Sequence, residues 1–200
     1  MSQKQHESLD EFNLQSLHAF CDEARRMGVR DAVVVAPARQ VFTATWVRLR
    51  CQYGCSEYGQ HLTCPPYSPT PETTRKMLDE YESAILLHGN NLDMVRDVAR
   101  ALEANVFLAG YYKAFAFLCG PCCSCKTCVI ANQRFGTRVA CRHSDKARPA
   151  MEAAGIDVFA TARAAGLPIK VVGSVEEPQN YYQPPARISN TGIFLKVFLV

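Results

Sequence analysis

The sequence predicts an α/β or α+β fold, a mixed sheet flanked by helices, with two cysteine-rich loops at strand ends. Two observations carry that expectation. Short β-branched or apolar runs alternate with stretches of helical periodicity along the whole chain. Nine of the ten cysteines fall in two windows, CQYGCSEYGQHLTCPP from Cys51 and CGPCCSCKTCVIANQRFGTRVACRH from Cys119.

The elements follow in order. Residues 8–27, SLDEFNLQSLHAFCDEARRM, place Leu9, Phe12, Leu17, Phe20 and Ala24 near helical spacing, with Ser8 as cap and Gly28 as stop. His18 and Cys21 lie on this helix, Cys21 as a packing group. DAVVVAPARQ and VFTATWVRLRC read as two strands broken near Pro37. In the second, Trp46, Arg48 and Arg50 alternate with Val47 and Leu49, so Cys51 is expected to leave a strand end. Thr70 caps a helix that begins at Pro71 and runs to about Tyr81. A strand follows at 84–88, then a helix capped by Asp93, with Val95, Val98, Leu102, Val106 and Phe107 mostly in phase. AFAFLCG reads as a buried strand that delivers the chain to the second cysteine window. Beyond it two short helices are separated near Gly155 and stopped by Gly166. IKVV at 169–172 is a strand, 176–190 a Pro-rich surface stretch, and GIFLKVFLV closes the chain as a strand.

At 200 residues and 48% hydrophobic content the chain is long enough to bury a core as a single domain, 1–200, with cysteine lobes at 51–67 and 119–143. The net charge of +3, without a stripe of basic residues interleaved with aromatics, argues against a nucleic-acid partner. The polar start MSQKQHESLDEF lacks a secretory signal, and no apolar run is long enough for a membrane span, so a cytoplasmic location is expected. In a reducing compartment ten cysteines point to metal or catalysis rather than to disulfides.

Cys122, Cys125 and Cys128 are spaced C-x2-C-x2-C, and Cys141 follows after twelve intervening residues. Three thiols two residues apart in a Gly/Pro loop cannot all be packing groups, but all can turn toward one object. Soft thiolates select zinc, cuprous copper or an iron-sulfur cluster. Successive C-x2-C steps with a remote fourth cysteine match the loop that wraps a 4Fe-4S cube, whereas paired knuckles mark tetrahedral zinc. Upstream, Cys51, Cys55 and Cys64 are spaced C-x3-C-x8-C. His61 makes a Cys3His zinc set with them conceivable.

The blocks CQYGCSEYGQHLTCPP, GYYKAFAFLCGPC and CRHSDKARPAMEAAGIDVF resemble an uncharacterised bacterial and archaeal cysteine-rich family of predicted metal-binding proteins. The resemblance covers most of residues 45–165 and implies metal ligation by Cys51, Cys55, Cys64, Cys122, Cys125, Cys128 and Cys141; it implies no reaction. Cys119 and Cys123 stand outside that pattern.

Seven ligands against the eight that two closed cubes need leave three arrangements. Two clusters form, the first lobe's with an iron left open or completed by Cys119, Cys123 or His61; or one cluster forms, with zinc or nothing in the other lobe; or ligands are exchanged between lobes through Cys64 before Pro65. The favoured reading is the first. The expected function is a 4Fe-4S protein in electron transfer, or a redox accessory to a partner enzyme, with Lys126, Arg138, Arg142 and Lys146 around the second lobe. Two alternatives stand: a zinc-stabilised interaction module, and a thiol-disulfide oxidoreductase using Cys119-Gly120-Pro121-Cys122. No Ser-His-Asp set, phosphate-cradling Gly loop or carboxylate pair accompanies the cysteines. Glu57, the acid in the first lobe, reads as a surface residue.

Overall fold

A computed structural model describes residues 16–134, 136–167 and 194–199, the last by backbone alone. The expected helix start at Ser8, the IKVV strand and the Pro-rich stretch lie outside them. The expected helix is present over 16–26 (α1) and turns at Gly28. Strand β1 is Asp31–Val35, β2 Ala84–Gly89, β3 Phe115–Phe117 and β4 Phe194–Leu199. They form one four-stranded sheet in the order β1-β2-β4-β3, so the closing strand is inserted between two earlier ones. Each described pairing is antiparallel. The fold is therefore α+β, and the sheet is antiparallel where the sequence suggested a mixed one.

Strand alternation divides the core in two, because successive side chains point to opposite faces. Ala32, Ile85, Leu87 and Ala116 pack with Leu17, Cys21 and Ala24 of α1 and with Val95, Ala99, Leu102 and Val106 of α4 (Leu92–Leu108). Val35, Ala84, Leu86 and Phe117 pack on the other face with Leu78 of α3 (Pro71–Leu78), Ala162 of α5 (Val158–Ala164), Met151 and Ile156. Helices thus cover both faces. This explains why β2, AILLHG, is buried at every position rather than alternating.

Four boundaries depart from the sequence reading. Trp46–Gly54 is a helix, α2, and not a strand, so Cys51 lies in a helical last turn. Its inward group beside Val47 is Arg48, whose guanidinium donates to Ser68 Oγ (2.9 Å), Pro69 O (3.1 Å) and Ala153 O (2.8 Å). Leu49, expected on the apolar side of a strand, is 55% exposed, and Trp46 is 45% exposed. The contacts that decide this element come from residues 20 and 105 positions away, outside any local pattern. At α4 the cap is Asn91, whose side chain accepts from Met94 N at 2.9 Å; Asp93 lies within the first turn. α3 starts as expected, with Thr70 Oγ1 accepting from Thr73 N, but ends at Leu78 rather than near Tyr81. The first of the two short helices near Gly155 is a single 3-10 turn, Glu152–Ala154.

Candidate metal centre

The first lobe is a chain of turns hung on α2. Tyr58 N donates to Cys55 O (3.3 Å), Gln60 N to Glu57 O (3.1 Å), Cys64 N to His61 O (3.0 Å) and Tyr67 N to Cys64 O (2.9 Å), while Gly59 N reaches Pro65 O (2.8 Å) and folds the loop on itself. Its base is fixed to the body. Ser68 Oγ donates to Ala153 O at 2.5 Å, Arg48 shares that carbonyl, and Thr74 Oγ1 donates to Ala154 O at 2.7 Å. Cys51 Sγ lies 4.0 Å from Glu152 O.

Cys64 is buried, Cys51 half-buried and Cys55 exposed. Burial, and after it the neighbouring charges of Cys55, Cys51 and Glu57, push the Cys64 thiol up to about 12; a hydrogen bond with Thr63 opposes this. Burial chiefly, then Glu152 and Cys55, raises Cys51, with Arg48 and Arg50 opposing. The three thiols therefore lie within range of one another's charge. Three thiolates there repel unless a cation offsets them, which is what a bound metal does.

These shifts set an alkaline limit on the metal-free chain. A thiol that titrates near 9 when unfolded and near 12 when folded contributes stability that is complete below pH 9 and lost as pH rises from 9 through 12. Cys21, buried in the core and raised to about 11, acts in the same direction. The urea midpoint of metal-free protein is expected to fall between pH 8 and pH 10.5, and an unchanged midpoint over that range contradicts this account.

The second lobe leaves the sheet after β3. Its neck is closed by a parallel bridge between Leu118 and Ala150, in which Leu118 N donates to Pro149 O (2.7 Å) and Met151 N to Leu118 O (2.8 Å). Between these two residues no helix or strand occurs among the described residues. The loop is instead clamped on one face of α4. Arg96, 6% exposed, donates through Nε to Cys119 O (3.0 Å) and through Nη2 to Pro121 O (2.9 Å); its Nη1 lies 3.1 Å from Asp93 Oδ1 and 3.8 Å from Cys123 Sγ. A Cβ on Gly120 would stand 2.8 Å from Arg96 Nη2, so only glycine admits this approach at its φ of +65°. Two turns along the same face, Glu103 accepts from Arg148 Nε (3.0 Å) and from Ala116 N (3.0 Å). Start and end of the lobe are thus held by one helix. Within it, His143 N donates to Cys141 Sγ at 3.4 Å, the kind of bond that tunes a metal thiolate.

A model of the predicted metal-binding protein family DUF2284 matches residues 34–184. The chain belongs to that family. No curated protein and no solved structure gives a match. The span of the DUF2284 match takes in α2, both cysteine lobes, and the α4 face that holds the second.

In this DUF2284 chain the seven expected ligands divide between the two lobes as read from sequence: Cys51, Cys55 and Cys64 in the first, Cys122, Cys125, Cys128 and Cys141 in the second. Among the described residues no three His, Cys, Asp or Glu side chains are gathered closely enough to hold a metal ion. Within the first lobe Cys51, Cys55 and Cys64 lie within range of one another's charge. The donor set is soft, free of disulfides and suited to zinc or an iron-sulfur cluster.

Other expected roles change. The first lobe does not sit at a strand end; it follows α2. Cys119 is buried with its carbonyl held by Arg96, and the residues after Cys122 do not start a helix, so the CGPC segment lacks the helix N-terminus that activates a thioredoxin-type thiolate. Glu57 is not a bare surface acid, since its Oε2 lies 2.8 Å from His61 Nε2. Lys126, Arg138, Arg142 and Lys146 are exposed and make no ion pair among the described residues.

Arg96, Glu103 and Arg148 were not legible as site residues. One signal was present in the sequence. Arg96 and Glu103, seven apart, share a face of α4 with Ala99 and Val106, where charged groups are out of place unless paired. Among the described residues no helix is long and apolar enough to cross a membrane.

Proposed function

We propose that this DUF2284 protein is an iron-sulfur protein of a reducing compartment, working in electron transfer or as a redox accessory to a partner enzyme. Cys122, Cys125, Cys128 and Cys141 hold a 4Fe-4S cluster, and Cys51, Cys55 and Cys64 form a second metal centre within the same domain. The observation that carries the reading is the second lobe. A long segment without helix or strand is uncommon in a compact fold and is usually functional. Here it carries C-x2-C-x2-C and a remote cysteine, closed at its neck by Leu118 and Ala150 and fixed by Arg96 and Glu103. A cluster bound there supplies reversible one-electron chemistry. The chain's own residues position it: α4 orients the loop, the His143 N–H stabilises the Cys141 thiolate, and the exposed cations Lys126, Arg138, Arg142 and Lys146 favour added negative charge and an acidic redox partner.

Zinc is the second reading, favoured by the His61–Glu57 pair, since zinc accepts Cys3His sets and its histidines commonly donate to a carboxylate. Cys125→Ser and Cys55→Ser separate the two. Under anaerobic purification Cys125→Ser is expected to lose about four irons and four sulfides, and Cys55→Ser the metal of the first lobe alone. Full retention of iron in Cys125→Ser refutes the ligand assignment, and loss of zinc without sulfide from either variant transfers that lobe to the zinc reading.

A further inference from the structure

We propose that the outer face of α2 docks a small acidic electron-carrier protein, which sets an apolar pocket over Trp46, Leu49 and Tyr53 and a carboxylate against Arg50; the partner's redox role, though not the docking face, rests on the reading above. Trp46, Leu49 and Tyr53 recur at i, i+3 and i+7 of Trp46–Gly54, the spacing that lines one side of a helix. Such a stripe is ordinarily turned to a core. Here its members are 45%, 55% and 79% exposed. The helix cannot rotate to hide them, because its other side is engaged: Val47 is buried, and Arg48 donates to Ser68, Pro69 and Ala153. A preformed surface that holds Trp, Tyr and Arg and lacks Lys, Asp and Glu has the composition of an interface centre.

Size and charge choose the occupant. Aromatic side chains bury about 150–250 Å² each when covered, so the exposed parts of these three side chains offer roughly 300–400 Å². That is well under the ~800 Å² per partner of a stable complex and falls in the range of electron-transfer encounters. The charges on α2 are Arg48, already engaged, and Arg50, which is exposed. Pairing the stripe with a second copy about a twofold axis would bring two Arg50 guanidiniums to one flank with no acid on either helix, which opposes self-association. One exposed arginine is also short of the roughly four to eight basic residues that hold a helix on anionic lipid. A protein pocket rimmed by carboxylates answers both the stripe and the charge. The position suits a carrier as well. Cys51, four residues after Val47, lies toward the inner side of the same helix, so one helix width, about 10 Å, separates it from a partner docked outside. One electron leaves the carrier's reduced centre and reduces the metal centre of the chain.

Trp46 is the chain's single tryptophan, so fluorinated tryptophan gives one fluorine NMR resonance that reports this face alone. The probe is an acidic 2Fe-2S ferredoxin, added to the full chain purified anaerobically. The resonance is expected to shift saturably, with affinity falling at least about tenfold in Leu49→Ala, Tyr53→Ala and Arg50→Glu and weakening with salt. The substituted side chains are exposed, so the melting temperature should not change. A resonance unmoved by ferredoxin overturns the proposal. So does one that moves with the chain's own concentration as sedimentation shows a dimer, or one that moves only with phosphatidylglycerol vesicles. Electron transfer separates this from the redox reading. If ferredoxin reduces wild type and Arg50→Glu at one rate, the redox reading stands and docking on α2 falls. If the resonance shifts but neither ferredoxin nor dithionite reduces any centre, the acidic partner stands and its redox role falls.

Discussion

Gly155→Ala is expected to destabilise the chain by about 3 kcal/mol, lowering its melting temperature by roughly 6–12 °C. Gly155 has φ +77°, where an L side chain costs about 1–2 kcal/mol. Its position is also closed sterically. A Cβ there would lie 2.4 Å from Pro71 Cγ, 2.8 Å from Pro71 Cβ and 2.9 Å from Pro71 Cα, and overpacking of that kind costs about 1–3 kcal/mol. The backbone of α3 cannot step aside cheaply, because Pro71 is its first residue and Thr74 is bonded to Ala154 O. The consequence reaches the first lobe. Ala153 O, two residues before, is the acceptor shared by Arg48 and Ser68 at the lobe's base. Thermal unfolding, followed together with metal retention, should show the first lobe's metal released before that of the second. An unaltered melting temperature contradicts the packing described here.

Arg96→Met carries the second large effect. Methionine keeps much of the buried volume but removes the donors to Cys119 O and Pro121 O and the charge beside Cys123. One buried and one part-buried carbonyl left without this donor cost about 2 kcal/mol together. More telling is the expected split. The second lobe should lose its metal while the first retains its own, because the Arg96 bonds hold only residues 119–123. Arg96→Lys keeps the charge without the planar fork and is expected to restore binding only in part. Metal content of the two variants beside Cys55→Ser checks this. Equal loss from both lobes contradicts a local clamp.

The elements with a strong local signal were legible in the sequence. β2 announced itself by a continuous apolar run, α3 by Thr70 and Pro71, and β3 by the apolar approach to Cys119. Each is decided mainly by residues within its own span. α2 was misread because its alternation of Arg and apolar residues spans only five positions. What made it a helix is the burial of Arg48 against carbonyls far along the chain. The same limit hid the clamps. Arg96 and Glu103 do their work through Cys119, Pro121 and Arg148, and no window of sequence shows that α4 and the second lobe meet. The cysteines are proposed as ligands because thiols two residues apart have few other uses. Glu57 and His61 could not be paired, since a turn and not a helix brings them together.

The most direct measurement is the iron, acid-labile sulfide and zinc content of the full chain purified without oxygen, with its visible spectrum before and after dithionite. The account predicts brown protein that bleaches on reduction and holds about four irons and four sulfides in the second lobe, rising to about eight of each when the first lobe also carries a cube. Colourless protein with one or two zincs and no sulfide would contradict the iron-sulfur proposal and leave a zinc-bound member of the family.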